Sequence, residues 1–136
     1  MYDRSKIEDA IRFAANCLSS KKDLGKPVLA HSVRVGMDLW AQNYDQDIVI
    51  AGILHDVIED SEATLYDLTE TFGERVANAV ANCSKNEEIE DKNKRREEVI
   101  QRACSTPDSM AVKAADILDN FRYYTELNDR NGIEYC

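Results

Sequence analysis

Residues 48–60 read IVIAGILHDVIED and are apolar nearly throughout before they become acidic. Asp45 precedes them, and aspartate is a preferred N-cap residue of helices. A helix that is hydrophobic on every side belongs at the centre of a bundle. The β-branched run at residues 48–50 is also typical of a buried strand, but the sequence holds no second convincing strand with which it could pair. We therefore predict that residues 48–60 form a central helix.

Amphipathic helical patterns flank this segment on both sides. We expect further helices at about residues 5–18, 28–42, 64–72, 74–83, from about 92 onward, and 109–127. Residues 19–27 (SSKKDLGKP) are predicted to form a loop, Pro107 lies in a turn, and the tail from about residue 128 is loose. The predicted fold class is all-α, a compact multi-helix bundle of about seven helices, and residues 1–136 are expected to form a single domain.

The composition argues against two classes of binding partner, nucleic acids and anionic membranes. The formal net charge is −9, from 26 acidic and 17 basic residues, so the surface repels nucleic acid and anionic membranes. Residues 1–12 are charged throughout and contain no secretory apolar region, and the four cysteines are widely spaced and read as reduced thiols. We expect a cytoplasmic protein that binds a small phosphorylated molecule; a homo-oligomer is left open.

Two histidines, His31 and His55, are the first candidates for chemistry. A lone histidine on an apolar helix is more often a satisfied core residue than a ligand. The residues after His55 change this interpretation, because Asp56, Glu59 and Asp60 place three carboxylates at the C-terminal end of an apolar helix. Negative charge there opposes the helix dipole, and the carboxylates repel one another unless a cation lies among them.

Asp116 is a further carboxylate in an unfavourable place, since it stands in an otherwise apolar stripe of the last long helix. A buried carboxylate is rarely unpaired, although a surface aspartate is the simpler alternative. Together His31, His55, Asp56 and Asp116 form a mixed nitrogen and oxygen set, which suits Mn²⁺, Fe²⁺, Co²⁺ or Zn²⁺ better than Mg²⁺ or Ca²⁺. Four protein ligands around an octahedral ion leave two positions for water and substrate, which is typical of a catalytic site.

Several runs of sequence resemble one known family. These are GKPVLAHSVRV (25–35), AGILHDVIEDSEAT (51–64), FGERVANAV (72–80), Ser84-Lys85 and VKAADILDN (112–120). They are similar to the HD-domain phosphohydrolases, and most of all to the hydrolase domain of RelA/SpoT proteins and the small stand-alone alarmone hydrolases, including the metazoan SpoT homologue. The similarity spans about residues 20–124.

The resemblance implies a role for each matching residue. His31, His55, Asp56 and Asp116 match the family's metal ligands, which usually bind Mn²⁺. Glu59 and Asp60 match the acidic pair that activates the attacking water. The residues matched to substrate binding are Asn120 near the nucleotide, Lys92, Lys94, Arg95 and Arg96 toward phosphate, Tyr123 and Tyr124 in the nucleotide pocket, and Lys22, where the family usually has an arginine packed on guanine.

The implied activity is metal-dependent hydrolysis of a phosphate ester, preferably release of the 3′-pyrophosphate of guanosine tetra- or pentaphosphate. Lysine at position 22 cannot reproduce the planar stacking of arginine. An HD-type phosphatase for another nucleotide, such as a nucleoside monophosphate, a deoxynucleotide or NADPH, therefore stays open. A non-catalytic nucleotide-binding module and a plain helical interaction domain are the non-enzymatic alternatives; the intact Glu59-Asp60 pair argues against the first, since a sensor does not need to activate water.

Overall fold

A computed structural model describes residues 2–18 and 27–136, and within these ranges it contains nine helices and no strand. The helices are α1 (Arg4–Leu18), α2 (Val28–Ala41), α3 (Gln46–Leu54), α4 (Val57–Asp60), α5 (Leu65–Phe72), α6 (Glu74–Cys83), α7 (Lys92–Ala103), α8 (Pro107–Glu126) and α9 (Arg130–Tyr135). The all-α fold class is confirmed. Of the predicted loop at residues 19–27, residues 19–26 lie outside the described residues.

Helix α3 is the centre of the bundle, which explains why its sequence is apolar on every side. All residues from Ile48 to Leu54 are buried, and α1, α2, α6 and α8 pack around them. Asp45 caps the helix as expected, because its side chain accepts a hydrogen bond from the Ile48 N–H. Gly36 of α2 and Gly52 of α3 let the two backbones approach closely, since a Cβ built on Gly52 would lie 3.3 Å from the Gly36 Cα.

The predicted central helix is interrupted, which corrects the expectation of one helix over residues 48–60. Helix α3 ends at Leu54, His55 and Asp56 form a turn, and α4 follows. Both the backbone N–H and the side-chain Nδ1 of His55 bond to the Gly52 carbonyl, at 3.5 Å and 2.7 Å. These two hydrogen bonds tighten the last turn of α3, so the acidic residues that follow lie on a separate short helix.

The C-terminal tail is helical where the sequence analysis expected it to be loose. Asp129 caps α9 by accepting a hydrogen bond from the Gly132 N–H at 3.1 Å. Gly132 packs so closely on the Tyr124 ring of α8 that a side chain there would collide with the ring. At the end of α9, the guanidinium of Arg96 lies 4.8 Å from the centre of the Tyr135 ring. Capping and these ring contacts hold the tail against α7 and α8.

Pro107 is the first residue of α8 and does not lie in the turn before it. Thr106 caps the helix by accepting a hydrogen bond from the Ser109 N–H at 3.1 Å. Proline fits the first helical position because an N–H there would have no partner within the helix.

The longest helix of the described chain, α8, has 20 residues. Neither α8 nor any other helix in residues 2–18 and 27–136 combines the length and the apolar character needed to cross a bilayer.

Candidate metal centre

Four polar side chains meet where α2, the α3–α4 turn and α8 come together. The Nε2 atom of His31 lies 3.2 Å from the Nε2 atom of His55 and 2.9 Å from Oδ1 of Asp116. The Nε2 atom of His55 lies 3.3 Å from Oδ1 of Asp116 and 3.3 Å from Oδ2 of Asp56. Oδ2 of Asp56 is also 3.7 Å from the His31 Nε2. The structure thus brings together all four residues that the sequence analysis proposed as ligands.

Hydrogen bonds on the far side of each ring orient the two imidazoles. Nδ1 of His55 is 2.7 Å from the Gly52 carbonyl oxygen, and Nδ1 of His31 is 2.7 Å from Oδ2 of Asp119. A carbonyl and a carboxylate only accept hydrogen bonds, so both Nδ1 atoms carry the proton of the neutral ring. Each Nε2 then turns a lone pair toward the other ring and toward two carboxylates, which is unfavourable unless a cation or a proton lies among them.

The pKa values within the cluster also indicate that positive charge stabilises it. Burial alone would lower the pKa of His55, but the charges of Asp56 and Asp116 outweigh it and raise that pKa well above its ordinary value. Burial likewise disfavours ionised Asp116, yet the pairing with His55 and His31 holds the Asp116 pKa well below its ordinary value. The donor atoms of His31, His55 and Asp116 lie within 4.8 Å of one another. Imidazole and carboxylate ligands in this arrangement fit a divalent transition ion.

Glu59 and Asp60 lie on α4, next to the cluster in sequence, and both are half-buried. Oε1 of Glu59 accepts a hydrogen bond from the Lys85 backbone N–H at 2.5 Å. Burial raises the pKa of Glu59 above its ordinary value, and the charge of Asp56 adds to the shift. From the sequence we expected only repulsion between the carboxylates. In the structure, burial is the larger cause of the raised pKa of Glu59.

A cavity of about 230 Å³ opens beside Asp116. Lys85, Arg96 and Lys113 are among its lining residues, together with the amide of Asn120. Nζ of Lys113 donates to Oδ2 of Asp116 at 3.1 Å, and Nδ2 of Asn120 donates to Oδ1 at 3.1 Å. Three cations and an amide beside an acidic cluster suit an anion such as phosphate, because charged donors make the strongest hydrogen bonds to phosphate oxygens.

The basic residues proposed from the sequence are placed differently from one another. Arg96 lines the cavity, and Lys92 reaches the ring of Tyr135, another lining residue, with its Nζ 5.3 Å from the ring centre. The side chain of Lys94 is exposed, and Arg95 donates to a loop carbonyl at 3.3 Å. The structure therefore brings only Arg96 of this group directly to the cavity wall.

The two tyrosines also differ. Tyr124 lines the cavity, whereas Tyr123 is half-buried and packs edge-on against Tyr124 with ring centres 5.4 Å apart. Lys22 lies outside the described residues.

Asp119, Arg34 and Lys113 were not predicted from the sequence, and all three contact the cluster or its nearest neighbours. Asp119 bonds to His31, Arg34 bonds to Asp119, and Lys113 bonds to Asp116. A signal was present in the spacing. Arg34 follows His31 by three residues and Asp119 follows Asp116 by three, so both newcomers lie one helical turn from a proposed ligand.

Comparison with known proteins gives a consistent set of relatives. A family model for the HD domain matches residues 10–134. A guanosine-3′,5′-bis(diphosphate) 3′-pyrophosphohydrolase of Aquifex aeolicus is 32% identical over 105 residues, covering 75% of this chain and 15% of the relative. The Drosophila melanogaster protein of that name, MESH1, is 28% identical over 126 residues, covering 89% of this chain and 70% of the relative. A solved structure described as a metazoan ortholog of SpoT that hydrolyses ppGpp superposes with a TM-score of 0.80 at 26% identity, covering 93% of this chain and 74% of that one.

The extent of the match differs between relatives. The chain covers only 15% of the Aquifex protein and 17% of a Mycoplasma pneumoniae relative, but most of the length of the Drosophila protein. The region matched by the family model holds both histidines, the aspartates beside them and every helix that brings them together. This chain therefore belongs to the HD domain family.

Proposed function

We propose that this chain is a metal-dependent phosphohydrolase that releases pyrophosphate from the 3′ position of guanosine tetra- or pentaphosphate. The observation that carries the proposal is the convergence of two imidazole Nε2 atoms and two carboxylates beside a cavity whose lining includes Lys85, Arg96 and Lys113. The names of the Aquifex and Drosophila relatives support the choice of substrate.

His31, His55, Asp56 and Asp116 would hold one divalent transition ion, for which we propose Mn²⁺. The donor set supports this class of ion, because it mixes neutral nitrogen and anionic oxygen ligands. When bound, the ion supplies Lewis-acid polarisation of a phosphate ester and makes water a stronger nucleophile near neutral pH.

The protein's own groups account for proton transfer and substrate binding. Glu59 is held by the Lys85 N–H and has a raised pKa, so it accepts the proton of the attacking water, with Asp60 beside it on α4. Lys113 and Arg96 face the cavity and neutralise phosphate oxygens. Asn120 and Lys113 also bind the two oxygens of Asp116 and so fix the orientation of that carboxylate.

The direct test is pyrophosphate release from guanosine tetraphosphate with Mn²⁺ present, measured for the wild type and for Asp56→Ala. Asp9→Ala, on the exposed side of α1, is the matched control. We expect turnover by the wild type and the control and a loss of turnover in Asp56→Ala. No release by the wild type, or full release by Asp56→Ala, would contradict the proposal.

The same assay separates the alternatives. Nucleoside monophosphates, deoxynucleotides and NADPH are offered side by side with guanosine tetraphosphate, and preference for one of them would replace the proposed substrate while keeping the reaction class. Metal analysis of the purified protein tests the plain helical interaction domain, because such a domain has no reason to bind a transition ion.

We also propose that the protein acts in the cytoplasm on a small nucleotide, and not on nucleic acid or at a membrane. The four cysteines form no disulfide, which fits a reducing compartment. The net charge of −9 supports a small ligand bound at a local basic cavity over a polyanion bound along the surface.

A further inference from the structure

Asp119 joins the candidate metal centre to a charged residue nearer the surface. Its side chain is only 3% exposed, and its Oδ2 lies 2.7 Å from Nδ1 of His31. Arg34 donates to the same carboxylate twice, from Nε to Oδ1 at 2.9 Å and from Nη2 to Oδ2 at 3.0 Å. We propose that Asp119 is a positioning residue for the metal centre, which fixes the ring and tautomer of His31, and that Arg34 balances its charge. This inference rests on the proposed function, because it requires His31 to be a ligand.

The tautomer of His31 matters because its other nitrogen has a competing partner. Nε2 of His31 lies 2.9 Å from Oδ1 of Asp116, so a ring protonated on Nε2 would donate a hydrogen bond into the centre of the cluster. That proton would occupy the place of the ion. A carboxylate at Nδ1 favours the other tautomer and leaves the Nε2 lone pair free.

The two histidines are positioned by different kinds of acceptor. His55 is held by the Gly52 backbone carbonyl, which no side-chain substitution removes. His31 is held by a side chain whose second partner, Arg34, is half exposed, with 51% of its side-chain surface accessible. We therefore expect the affinity of the centre for a metal ion to be sensitive to substitution at Asp119, although Asp119 is not one of the four proposed ligands.

A second ion pair between the same helices provides a matched control. Asp38 of α2 bonds to Arg122 of α8 at 2.9 Å, so α2 contributes the carboxylate and α8 the guanidinium. The Arg34–Asp119 pair has the opposite arrangement. Substitution of Asp38 therefore removes a bridge between α2 and α8 without removing a partner of His31.

The experiment measures the dissociation constant for Mn²⁺ of the full chain by calorimetry for the wild type, Asp119→Ala, Asp119→Asn, Arg34→Ala and Asp38→Ala. Thermal unfolding without metal is recorded for each variant to show that it folds. We expect Asp119→Ala to weaken binding by about 10- to 100-fold. Asp119→Asn should recover part of this loss, since its amide oxygen still accepts from Nδ1, and Asp38→Ala should bind like the wild type.

If Asp119 had only a structural role, the Mn²⁺ affinities of the variants would follow a different pattern. If only the ion pair between α2 and α8 mattered, Asp119→Asn and Arg34→Ala would bind Mn²⁺ as poorly as Asp119→Ala, and that result would overturn the inference. Wild-type affinity in Asp119→Ala would also overturn it. A wild type that binds no Mn²⁺ overturns both the metal site and this inference, whereas a wild type that binds Mn²⁺ but releases no pyrophosphate contradicts only the proposed function.

Discussion

The backbone N–H of Lys85 donates a 2.5 Å hydrogen bond to Oε1 of Glu59. This bond joins the loop after α6 to the short helix α4, and it fixes the carboxylate beside the cluster without using a second charged side chain. Among substitutions of Lys85 only proline would remove this backbone donor, so the position of Glu59 depends on the fold more than on which other residue stands at position 85.

The first prediction concerns the activity of Glu59→Gln. Glutamine keeps the shape and the bond to Lys85 but cannot accept a proton, so we expect kcat at saturating Mn²⁺ to fall by about 10²- to 10⁴-fold. In the wild type the rate should decline on the acid side at a pH above the ordinary glutamate value of 4.5, because burial raises the Glu59 pKa. The control is Glu62→Gln, an exposed residue after α4, which should leave kcat unchanged.

The second prediction concerns the stability of the same variant. A raised pKa means that folded Glu59 binds its proton more tightly than unfolded Glu59, so the linked stability is full below pH 4.5 and is lost as the pH rises through the raised pKa. At neutral pH, Glu59→Gln should therefore have a larger free energy of unfolding than the wild type. Urea unfolding in the presence of a chelator measures the difference, which should shrink toward acidic pH. If Glu59→Gln were less stable than the wild type at neutral pH, burial would not be what determines the pKa of Glu59.

The third prediction separates two basic residues on α7. Arg96 lines the cavity beside Asp116, whereas the side chain of Lys94 is exposed. Loss of one hydrogen bond to a charged phosphate costs about 1.5–3 kcal/mol, so Arg96→Ala should raise KM roughly 10- to 150-fold. Lys94→Ala should leave KM unchanged. Equal effects in the two variants would mean that positive charge on α7 acts only at long range.

The fourth prediction tests the close approach of α2 and α3. A Cβ on Gly52 would lie 2.6 Å from Cδ1 of the buried Leu39 and 3.3 Å from the Gly36 Cα, and the second contact is with backbone that cannot move alone. Overpacking of this kind costs about 1–3 kcal/mol, so Gly52→Ala should be destabilising in chemical denaturation. Helix propensity alone predicts the opposite sign, a gain of about 0.8–1.0 kcal/mol. The sign of the change in the free energy of unfolding therefore shows whether overpacking or helix propensity is the larger effect.

The sequence was a good guide to the site where residue type conflicted with environment. Asp116 in an apolar stripe and three carboxylates after His55 signalled a need for positive charge, and the structure brings Asp116 and Asp56 to the two histidines. Asp119 showed no such conflict between residue type and environment, and its spacing of three residues from Asp116 was the one indication available. It follows an exposed leucine and precedes Asn120, so it looks like one more polar residue on a helix surface until the packing of α8 against α2 is known.

The fold was predictable where periodicity is strong and less so where a single side chain decides. The apolar pattern of α3 and the amphipathic patterns around it gave the helices, but the break at His55 depends on a side-chain bond to the Gly52 carbonyl that periodicity cannot show. The tail was missed because its few apolar residues form no stripe. Asp129, three residues before Gly132, was the available capping signal.

The separation of the clustered residues along the chain has a consequence for biosynthesis. His31 and Asp116, in contact at 2.9 Å, are 85 positions apart in sequence. A nascent polypeptide that has emerged only as far as α7 carries both imidazoles without the last aspartate, and contacts between distant positions form late. Assembly of the proposed centre must therefore wait until α8 has left the ribosome and packed, so a partly synthesised chain lacks one of the four proposed ligands.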